Sequence, residues 1–263
     1  MTTTIDIIEH VASLSGHGPS REEGVQHGDA SCAVTGVTVS WMATPEAIAA
    51  AGEAGHELLV SHESLYFPYN VVIAEQTPEG WEDWPVNRQR RALLDRRDLT
   101  FCRIHRSADE ICILDTFAEL LGLGEPVAVS GRLGKVYERA PCTLRALVEE
   151  VKQRMGMAHV RVADACDMDR EVRRVGLPWG GLGLFVNVGY QQRLVAQGCD
   201  VFIAGESDNY GFRFAVESGI PMIETSHELS ENPGLRRFTE MLDKAFPDVA
   251  FRFFENPCVW QMR

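Results

Sequence analysis

The sequence lacks the features of a secreted, disulfide-bonded or membrane-spanning protein. Its seven cysteines are odd in number and form no Cys-x-x-Cys pair, which argues against a disulfide framework and against a structural zinc site. No apolar run is long enough to cross a bilayer. The first residues contain neither the basic nor the apolar segment of a secretion signal. We therefore expect a cytoplasmic protein without a membrane partner.

Basic charge is also scarce. The chain has 25 Lys and Arg residues against 38 Asp and Glu residues, for a net charge of −13. Such a chain is poorly suited to a nucleic-acid backbone, so we expect no nucleic-acid partner. Its 263 residues, 45% of them hydrophobic, are enough to bury a substantial core, in one large domain or two small ones.

One segment of the sequence occurs twice. Residues 55–64 and 198–207 align without a gap, and each has a turn glycine, an acid, an apolar run and the pair Glu-Ser. Farther along, a short apolar stretch ends in His105-x-x-x-Asp109, and a second ends in His227-x-x-x-Glu231. Similarity at a fixed offset indicates a duplicated structural unit.

Strand and helix patterns alternate along the chain, which is typical of an α/β fold. We predict two related α/β lobes, residues 1–124 and residues 125–263, with the site where strand ends meet. Two helix starts follow from local patterns. Ser107-x-x-Glu110 predicts a capping box before a helix over 111–121, and Asn232-Pro233 predicts the start of the last helix.

Histidines and acids at the ends of the predicted strands suit a divalent transition metal, which prefers imidazole nitrogen and carboxylate oxygen. Each residue also has an ordinary interpretation. Acids stabilise helix N-termini, and a histidine at a strand end is often hydrogen-bonded without binding metal. The repeated His-x-x-x-acid pattern favours the metal interpretation for five residues: His62, His105, Asp109, His227 and Glu231.

Several segments together resemble a known family. They are residues 34–67, with Val-Thr-Gly-Val-Thr-Val and Leu-Leu-Val-Ser-His-Glu-Ser, then Gly-Arg-Leu-Gly at 131–134, Cys-Asp-Val-Phe-Ile-Ala-Gly-Glu at 199–206 and Ser-His-Glu-Leu-Ser-Glu at 226–231. From about residue 34 to the end, the chain resembles the Nif-three-like proteins, often labelled GTP cyclohydrolase type 2 homologues. The resemblance implies subunits of two related, intertwined three-layer α/β lobes, a toroidal homohexamer, and a site with two metal ions in the cleft between the lobes.

The resemblance also assigns residues. The paired histidines of the family fall on Ser61 and His62, and a histidine common in the family falls on His105. Because Ser61 is not a histidine, one of the two metal positions should be weaker, unless Glu63, Glu206 or Glu228 supplies an oxygen. Tyr210 stands at another position where the family commonly has histidine. The implied metal ligands are His62, Asp109, His227 and Glu231.

These residues predict a metal-dependent hydrolase that acts on a nucleotide or another small heterocyclic substrate through a metal-bound water. We expect one or two divalent ions, Zn, Fe, Mn, Co or Ni, with His105 or Glu63 as proton shuttle or as support for a ligand. A different hypothesis is a non-catalytic toroidal protein that binds metal or a partner protein. A third, suggested by Ser61, is a scaffold that has lost its metal.

Three other features have two interpretations each. The glycine-rich segment 178–183 is either an anion cradle or a tight turn. The arginines of 88–97 either hold phosphate groups or form a solvated helix face or subunit contact. The aromatic segment 66–85, which has no counterpart in the second copy, is an inserted loop that serves as a lid or as an oligomer contact.

Overall fold

Two compact units make up the protein. The structure, a computed structural model, describes residues 1–68, 77–164 and 167–260. The first unit contains Met1–Cys112 and Gly234–Pro257, and the second contains Ile113–Pro233 and Cys258–Arg263. Each unit has its own sheet and helices, so the α/β class is confirmed. The lobe limits inferred from the sequence, at 124 and 125, stay a prediction, and residues 69–76 of the aromatic segment lie outside the described residues.

The described strands and helices alternate for most of the chain. The strands are β1 (Gly24–His27), β2 (Gly36–Ser40), β3 (Leu58–Ser61), β4 (Thr100–Arg103), β5 (Pro126–Ser130), β6 (Gly134–Thr143), β7 (Arg161–Ala163), β8 (Glu171–Gly176), β9 (Val201–Ala204), β10 (Met222–Glu224) and β11 (Ala250–Phe254). The helices are α1 (Thr4–Ser15), α2 (Pro45–Glu53), α3 (Pro85–Arg96), α4 (Arg106–Ala108), α5 (Leu114–Leu120), α6 (Leu144–Met155), α7 (Val188–Ala196), α8 (Asn209–Glu217) and α9 (His227–Ala245).

Each sheet is built around parallel strands. The order in the first unit is β1-β4-β3-β2-β11, in which only β1 runs antiparallel to its neighbour. The order in the second unit is β5-β6-β8-β9-β10-β7, with β8, β9 and β10 parallel. Strands β3 and β9 are buried along their whole length, as expected for central parallel strands that are covered on both faces.

The repeat found in the sequence is a repeat of structure. Strands β3 and β9 occupy the same places in the two aligned segments, and each is preceded by a turn glycine with positive φ, Gly55 at 70° and Gly198 at 80°. In each unit a parallel neighbour follows, β4 beside β3 and β10 beside β9. Carboxyl ends of parallel strands meet at one edge of a sheet, so each unit has one edge where the segments after its strands converge.

The two predicted helix starts are wrong. Helix α4 begins at Arg106, before the proposed cap, and the Ser107 hydroxyl donates to Glu23 at 3.0 Å. A π-helical turn, Asp109–Ile113, then leads into α5. Helix α9 begins at His227 and contains Pro233 in its interior. Proline suits a first helical turn but is tolerated farther along when the rest of the protein holds the helix in place. Ser226 caps the start of α9, because its hydroxyl accepts from the Leu229 N–H at 3.5 Å.

The arginine-rich helix α3 packs into the core of the first unit. Buried Arg90 donates to the Leu65 carbonyl at 2.6 Å, and its guanidinium lies 4.7 Å from the ring centre of Phe67. Burial lowers the pKa of Arg90 to about 10. This arginine is therefore structural, which disfavours a phosphate-binding role for it.

The cysteines of the described residues are free thiols. Cys102 in β4 and Cys199 before β9 are buried, and burial raises the pKa of each thiol to about 12. Cys258 is exposed. Over the described ranges, none of the helices combines the length and the apolar character that a membrane crossing requires.

Candidate metal centre

In the first unit, two histidines follow neighbouring strand ends. His62 comes directly after β3, and His105 follows β4 by two residues. Since β3 and β4 are parallel, with Ser61 opposite Arg103, both imidazoles lie at one edge of the sheet. Their ring centres are 4.5 Å apart. The sequence-predicted residues of this unit therefore converge around the ends of two strands.

Carboxylates complete this cluster. The ligand atoms of His62, Glu63 and His105 lie within 4.8 Å of one another. Asp109, in the π-helical turn after α4, places its Oδ1 3.7 Å from His62 Nε2. Both His62 and Asp109 are buried. The arrangement offers imidazole nitrogen and carboxylate oxygen on a rigid frame, which suits a divalent transition metal.

Both imidazoles are oriented through Nδ1. His62 Nδ1 lies 3.3 Å from the Ile104 carbonyl, and His105 Nδ1 lies 2.7 Å from Glu22 Oε1. These oxygens accept, so the tautomer that satisfies both bonds carries its proton on Nδ1. For His62, Nε2 is then the nitrogen whose lone pair faces Asp109. Metal-binding histidines in proteins are commonly fixed in this way.

A buried arginine neutralises part of the negative charge. Arg103 is fully buried, its Nε donates to the His62 carbonyl at 3.0 Å, and its guanidinium forms ion pairs with Glu22 at 3.5 Å and with Glu63 at 3.7 Å. The guanidinium therefore anchors two of the carboxylates at this edge of the sheet.

Glu23 anchors the segment that carries His105 and Asp109. Its carboxylate accepts from the backbone N–H groups of Ser20, His105 and Ser107, and from the Ser107 hydroxyl. Burial would raise the pKa of Glu23, but these hydrogen bonds outweigh burial and hold the pKa below its ordinary value. The carboxylate therefore stabilises the start of α4 and fixes the backbone of His105.

In the second unit, one helix carries both sequence-predicted residues. His227 is the first residue of α9 and Glu231 lies one turn later, so the two side chains share a face. His227 Nε2 is 3.4 Å from Glu231 Oε1. The other ring nitrogen, Nδ1, is 3.0 Å from Glu206 Oε2, just beyond β9. This imidazole too is oriented through Nδ1 by an acceptor.

The glycine-rich segment packs directly on this pair. Residues Gly180–Gly183 form a 3-10 turn in which Gly180 has a φ of 51°. A Cβ on Gly180 would collide with the Glu231 carboxylate, and one on Gly181 would lie 3.1 Å from His227 Cε1. The Gly180 N–H donates to the Ser230 hydroxyl at 3.0 Å. Because that amide is used within the protein, the tight-turn interpretation is favoured over the anion cradle.

The residue that departs from the family pattern has a partner of its own. Ser61, fully buried at the end of β3, lies with its hydroxyl 2.8 Å from that of Ser40 on β2. Tyr210, the other departure, is 70% exposed and its ring centre is 5.3 Å from that of Phe185. Ser61 therefore contributes a hydrogen bond within the sheet at a position where the resemblance implies an imidazole.

Sequence reasoning missed Glu22 and Glu23, which lie in a stretch that the sequence pattern predicts to be a loop. The only local signal is a pair of adjacent acids before β1, whose four residues are half-buried. Glu206 was considered only as a source of oxygen for the metal. Its contact with His227 Nδ1 depends on the parallel pairing of β9 and β10, which brings the two residues to one edge.

Comparisons with known proteins agree with this fold. The model of the Duf34/NIF3 (NGG1p interacting factor 3) family matches residues 1–257. A GTP cyclohydrolase 1 type 2 homolog of Clostridium perfringens is 24% identical in an alignment of 259 positions, which covers 94% of this chain and 93% of that protein.

Solved structures with the same fold include Staphylococcus aureus protein SA1388, with a TM-score of 0.77, 16% identity, and coverage of 100% of this chain and 99% of that one. A Bacillus cereus protein related to NIF3 has a TM-score of 0.76, 15% identity, and 99% coverage of both chains. At these identities the structures establish the fold alone. Because the family model spans nearly the whole sequence, the chain belongs to the Duf34/NIF3 family.

Proposed function

We propose that the protein is a metal-dependent hydrolase that acts on a nucleotide or another small heterocyclic substrate. The proposed metal ligands are His62 and Asp109 in the first unit and His227 and Glu231 in the second. His105 and Glu63 are assigned to proton transfer and to support of the ligands.

The orientation of three imidazoles carries the proposal. Histidines 62, 105 and 227 each place Nδ1 against an oxygen acceptor: the Ile104 carbonyl, Glu22 and Glu206, respectively. A structural histidine needs no such common orientation. In His62 and His227 this leaves Nε2 beside a carboxylate, Asp109 or Glu231, which fits ligands prepared for metal, and in His105 it leaves Nε2 for proton transfer.

The donor set limits the choice of ion. Nitrogen and oxygen donors without thiolate suit Zn, Fe, Mn, Co or Ni. One or two ions per chain are proposed. Ser61 stands where a second imidazole would strengthen a dinuclear site, and its hydroxyl is hydrogen-bonded to that of Ser40. We therefore expect the two metal positions to be unequally occupied.

When bound, a divalent ion supplies Lewis acidity, which acidifies water and polarises an oxygen of the substrate. His105 is partly exposed and hydrogen-bonded to Glu22, and this pair can accept a proton and pass it on. Glu63 is held by its ion pair with buried Arg103, which suits a positioning role. Gly180 and Gly181 keep side chains away from His227 and Glu231.

The proposal includes the cellular setting that the resemblance and composition imply, a cytoplasmic protein assembled as a homohexamer. The acidic net charge of −13 supports a small-molecule substrate over a nucleic acid.

Metal analysis tests the first part of the proposal. Protein that is expressed in metal-supplemented medium and purified without chelators should contain one or two first-row transition ions per chain. The two metal positions should be unequally occupied. Less than about a tenth of an ion per chain would contradict it, because such sites bind metal tightly.

Hydrolysis assays test the second part. The metal-loaded protein should hydrolyse a member of a panel of nucleotides, esters, amides and cyclic amidines, and His227→Ala should lose that activity. Metal-loaded protein that is inert across the panel would leave the non-catalytic metal-binding or partner-binding protein as the better account.

A further inference from the structure

Ser207, the residue after Glu206, has both of its backbone polar groups bonded to one ion pair. Its N–H donates to Glu224 Oε1 at 3.1 Å, and its carbonyl accepts from Arg161 Nη2 at 2.8 Å. Arg161 on β7 and Glu224 on β10 are opposite each other in the sheet, and their side chains form a salt bridge. Charge strengthens both hydrogen bonds, so the ion pair fixes the two peptide groups that flank Ser207.

The surroundings of this ion pair limit its movement. Glu224 is 6% exposed, and a carboxylate buried to that degree is costly without charged or hydrogen-bonding partners. The Arg161 guanidinium lies 4.9 Å from the ring centre of Phe212 on α8. The Ser207 hydroxyl donates to the Gly183 carbonyl at 2.8 Å. The segment after β9 is therefore held by β7, by β10 and by the glycine-rich turn.

The first unit has a buried charged residue at the equivalent position. Ser61 and Ala204 are counterparts in the repeat. Arg103 lies opposite Ser61, and Glu224 lies opposite Ala204. Arg103 Nε donates to the His62 carbonyl at 3.0 Å. The charges have opposite signs in the two units, yet each residue binds the backbone that follows the repeated strand, which indicates that this position serves to hold that backbone.

Glu206 depends on this backbone for its position. Its N–H donates to the Gly180 carbonyl at 2.7 Å, and its Oε2 is 3.0 Å from His227 Nδ1. The Glu206 side chain is 47% exposed, so packing around it contributes little to its direction. The place of its backbone therefore decides whether the carboxylate reaches the imidazole.

We propose that Arg161 and Glu224 are positioning residues for His227. They fix the backbone that carries Glu206, and Glu206 then keeps the imidazole proton on Nδ1, which leaves Nε2 beside Glu231 for a metal ion. The importance of this orientation rests on the proposed function, in which His227 binds metal. An ion pair that only stabilised the edge of the sheet would have no influence on the imidazole.

The tautomer of His227 in the metal-free protein tests the proposal. Long-range ¹⁵N NMR of the full-length protein, at a pH where imidazoles are neutral, distinguishes a proton on Nδ1 from one on Nε2, and His227→Ala assigns the signal. Wild type should carry the proton on Nδ1. Glu224→Ala removes the acceptor of the Ser207 N–H and should produce a mixture of the two tautomers. Glu224→Gln keeps an oxygen acceptor and should lie closer to wild type.

Two further variants separate positioning from general stability. Arg161→Ala, at a half-exposed side chain, removes the donor to the Ser207 carbonyl and should shift the tautomer in the same direction as Glu224→Ala. The matched control is Glu138→Ala, which breaks the salt bridge with Arg173 between β6 and β8 of the same sheet and should leave the tautomer unchanged. A His227 spectrum identical to that of wild type in both Glu224→Ala and Arg161→Ala would overturn the proposal.

Titration with Zn²⁺ measures the consequence for metal binding. Glu224→Ala should bind up to about 10-fold more weakly than wild type, at the low end of the loss that follows removal of a group supporting a ligand. The double variant Glu206→Ala/Glu224→Ala should bind no more weakly than Glu206→Ala, because Glu224 acts through Glu206. Additive losses would overturn this route of action. A shifted tautomer in Glu224→Ala, together with unchanged affinity in His227→Ala, would support the positioning role and contradict the ligation proposed for His227.

Discussion

The two units orient a histidine ring in the same way but with different residues. His105 and His227 occupy matching positions, each two or three residues beyond a strand that runs parallel to the repeated one. Both rings are held through Nδ1 by a carboxylate. In the first unit this is Glu22, from the stretch before β1, whereas in the second it is Glu206, directly after β9.

The two copies also differ at the end of the neighbouring parallel strand. Glu63 is the counterpart of Glu206, but its carboxylate faces Arg103, the last residue of β4. The residue at the same register in the second unit, opposite Ala204, is Glu224, whose carboxylate pairs with Arg161. Glu206 pairs with His227 instead. The orientation of the imidazole has been preserved while the residue that provides it has changed, as expected if that orientation is what function requires.

The largest expected effect comes from removing one histidine in each unit. His62→Ala and His227→Ala should each lower metal affinity by more than about 100-fold, because loss of a supporting group alone costs about 10- to 100-fold. Titration calorimetry with Zn²⁺ or Co²⁺ measures this, and exposed His159→Ala is the matched control. If one variant binds metal as tightly as wild type, the two units are not equivalent in ligation.

The next effect concerns the glycine turn of the second unit. An alanine in left-handed backbone costs about 1–2 kcal/mol, and Gly55→Ala, at a φ of 70° with open space around it, should cost about that much. Gly180→Ala adds a collision with Glu231 and should cost about 3 kcal/mol in total. Urea denaturation compares the two variants. Equal losses of unfolding free energy would mean that a methyl group on this turn does not collide with the His227 and Glu231 pair.

The carboxylates that orient the histidines test the comparison directly. Glu22→Ala and Glu206→Ala should each reduce metal affinity by about 10- to 100-fold. Glu206→Gln keeps an acceptor for Nδ1 and should lie between wild type and Glu206→Ala. Glu206 is half-exposed, so its loss should leave the unfolding midpoint of the metal-free protein near that of wild type. If both alanine variants bind metal with unchanged affinity, the orientation of the imidazoles by these carboxylates does not contribute to metal binding.

The last expected effect is on stability and depends on pH. Because the folded pKa of Glu23 is below its ordinary value, its contribution to stability is full above that ordinary value and is lost as the pH falls through the folded pKa. Glu23→Gln should cost about 2 kcal/mol at neutral pH, since an amide nitrogen then faces donors. The difference from wild type should shrink in acid. Exposed Glu9→Gln is the control and should show neither the loss nor its pH dependence.

Local signals predicted the elements that carry the site. The gapless match of 55–64 with 198–207 located β3 and β9. These features depend on neighbouring residues. The contact of His105 with Glu22 joins residues 83 positions apart, so no spacing rule reveals it. The start of α9 was misplaced because Pro233 is a start signal only when nothing upstream caps the helix, and Ser226 does so.

The buried cysteines have a consequence for redox chemistry. A thiol with a pKa of about 12 is almost entirely protonated at neutral pH, and the thiolate is the form that reacts with oxidants, alkylating agents and soft metal ions. Cys102 lies on the strand that leads to His105, yet it should neither compete for the metal nor be readily oxidised. Peroxide or iodoacetamide should therefore modify exposed Cys258 first and leave Cys102 and Cys199 intact while the protein is folded.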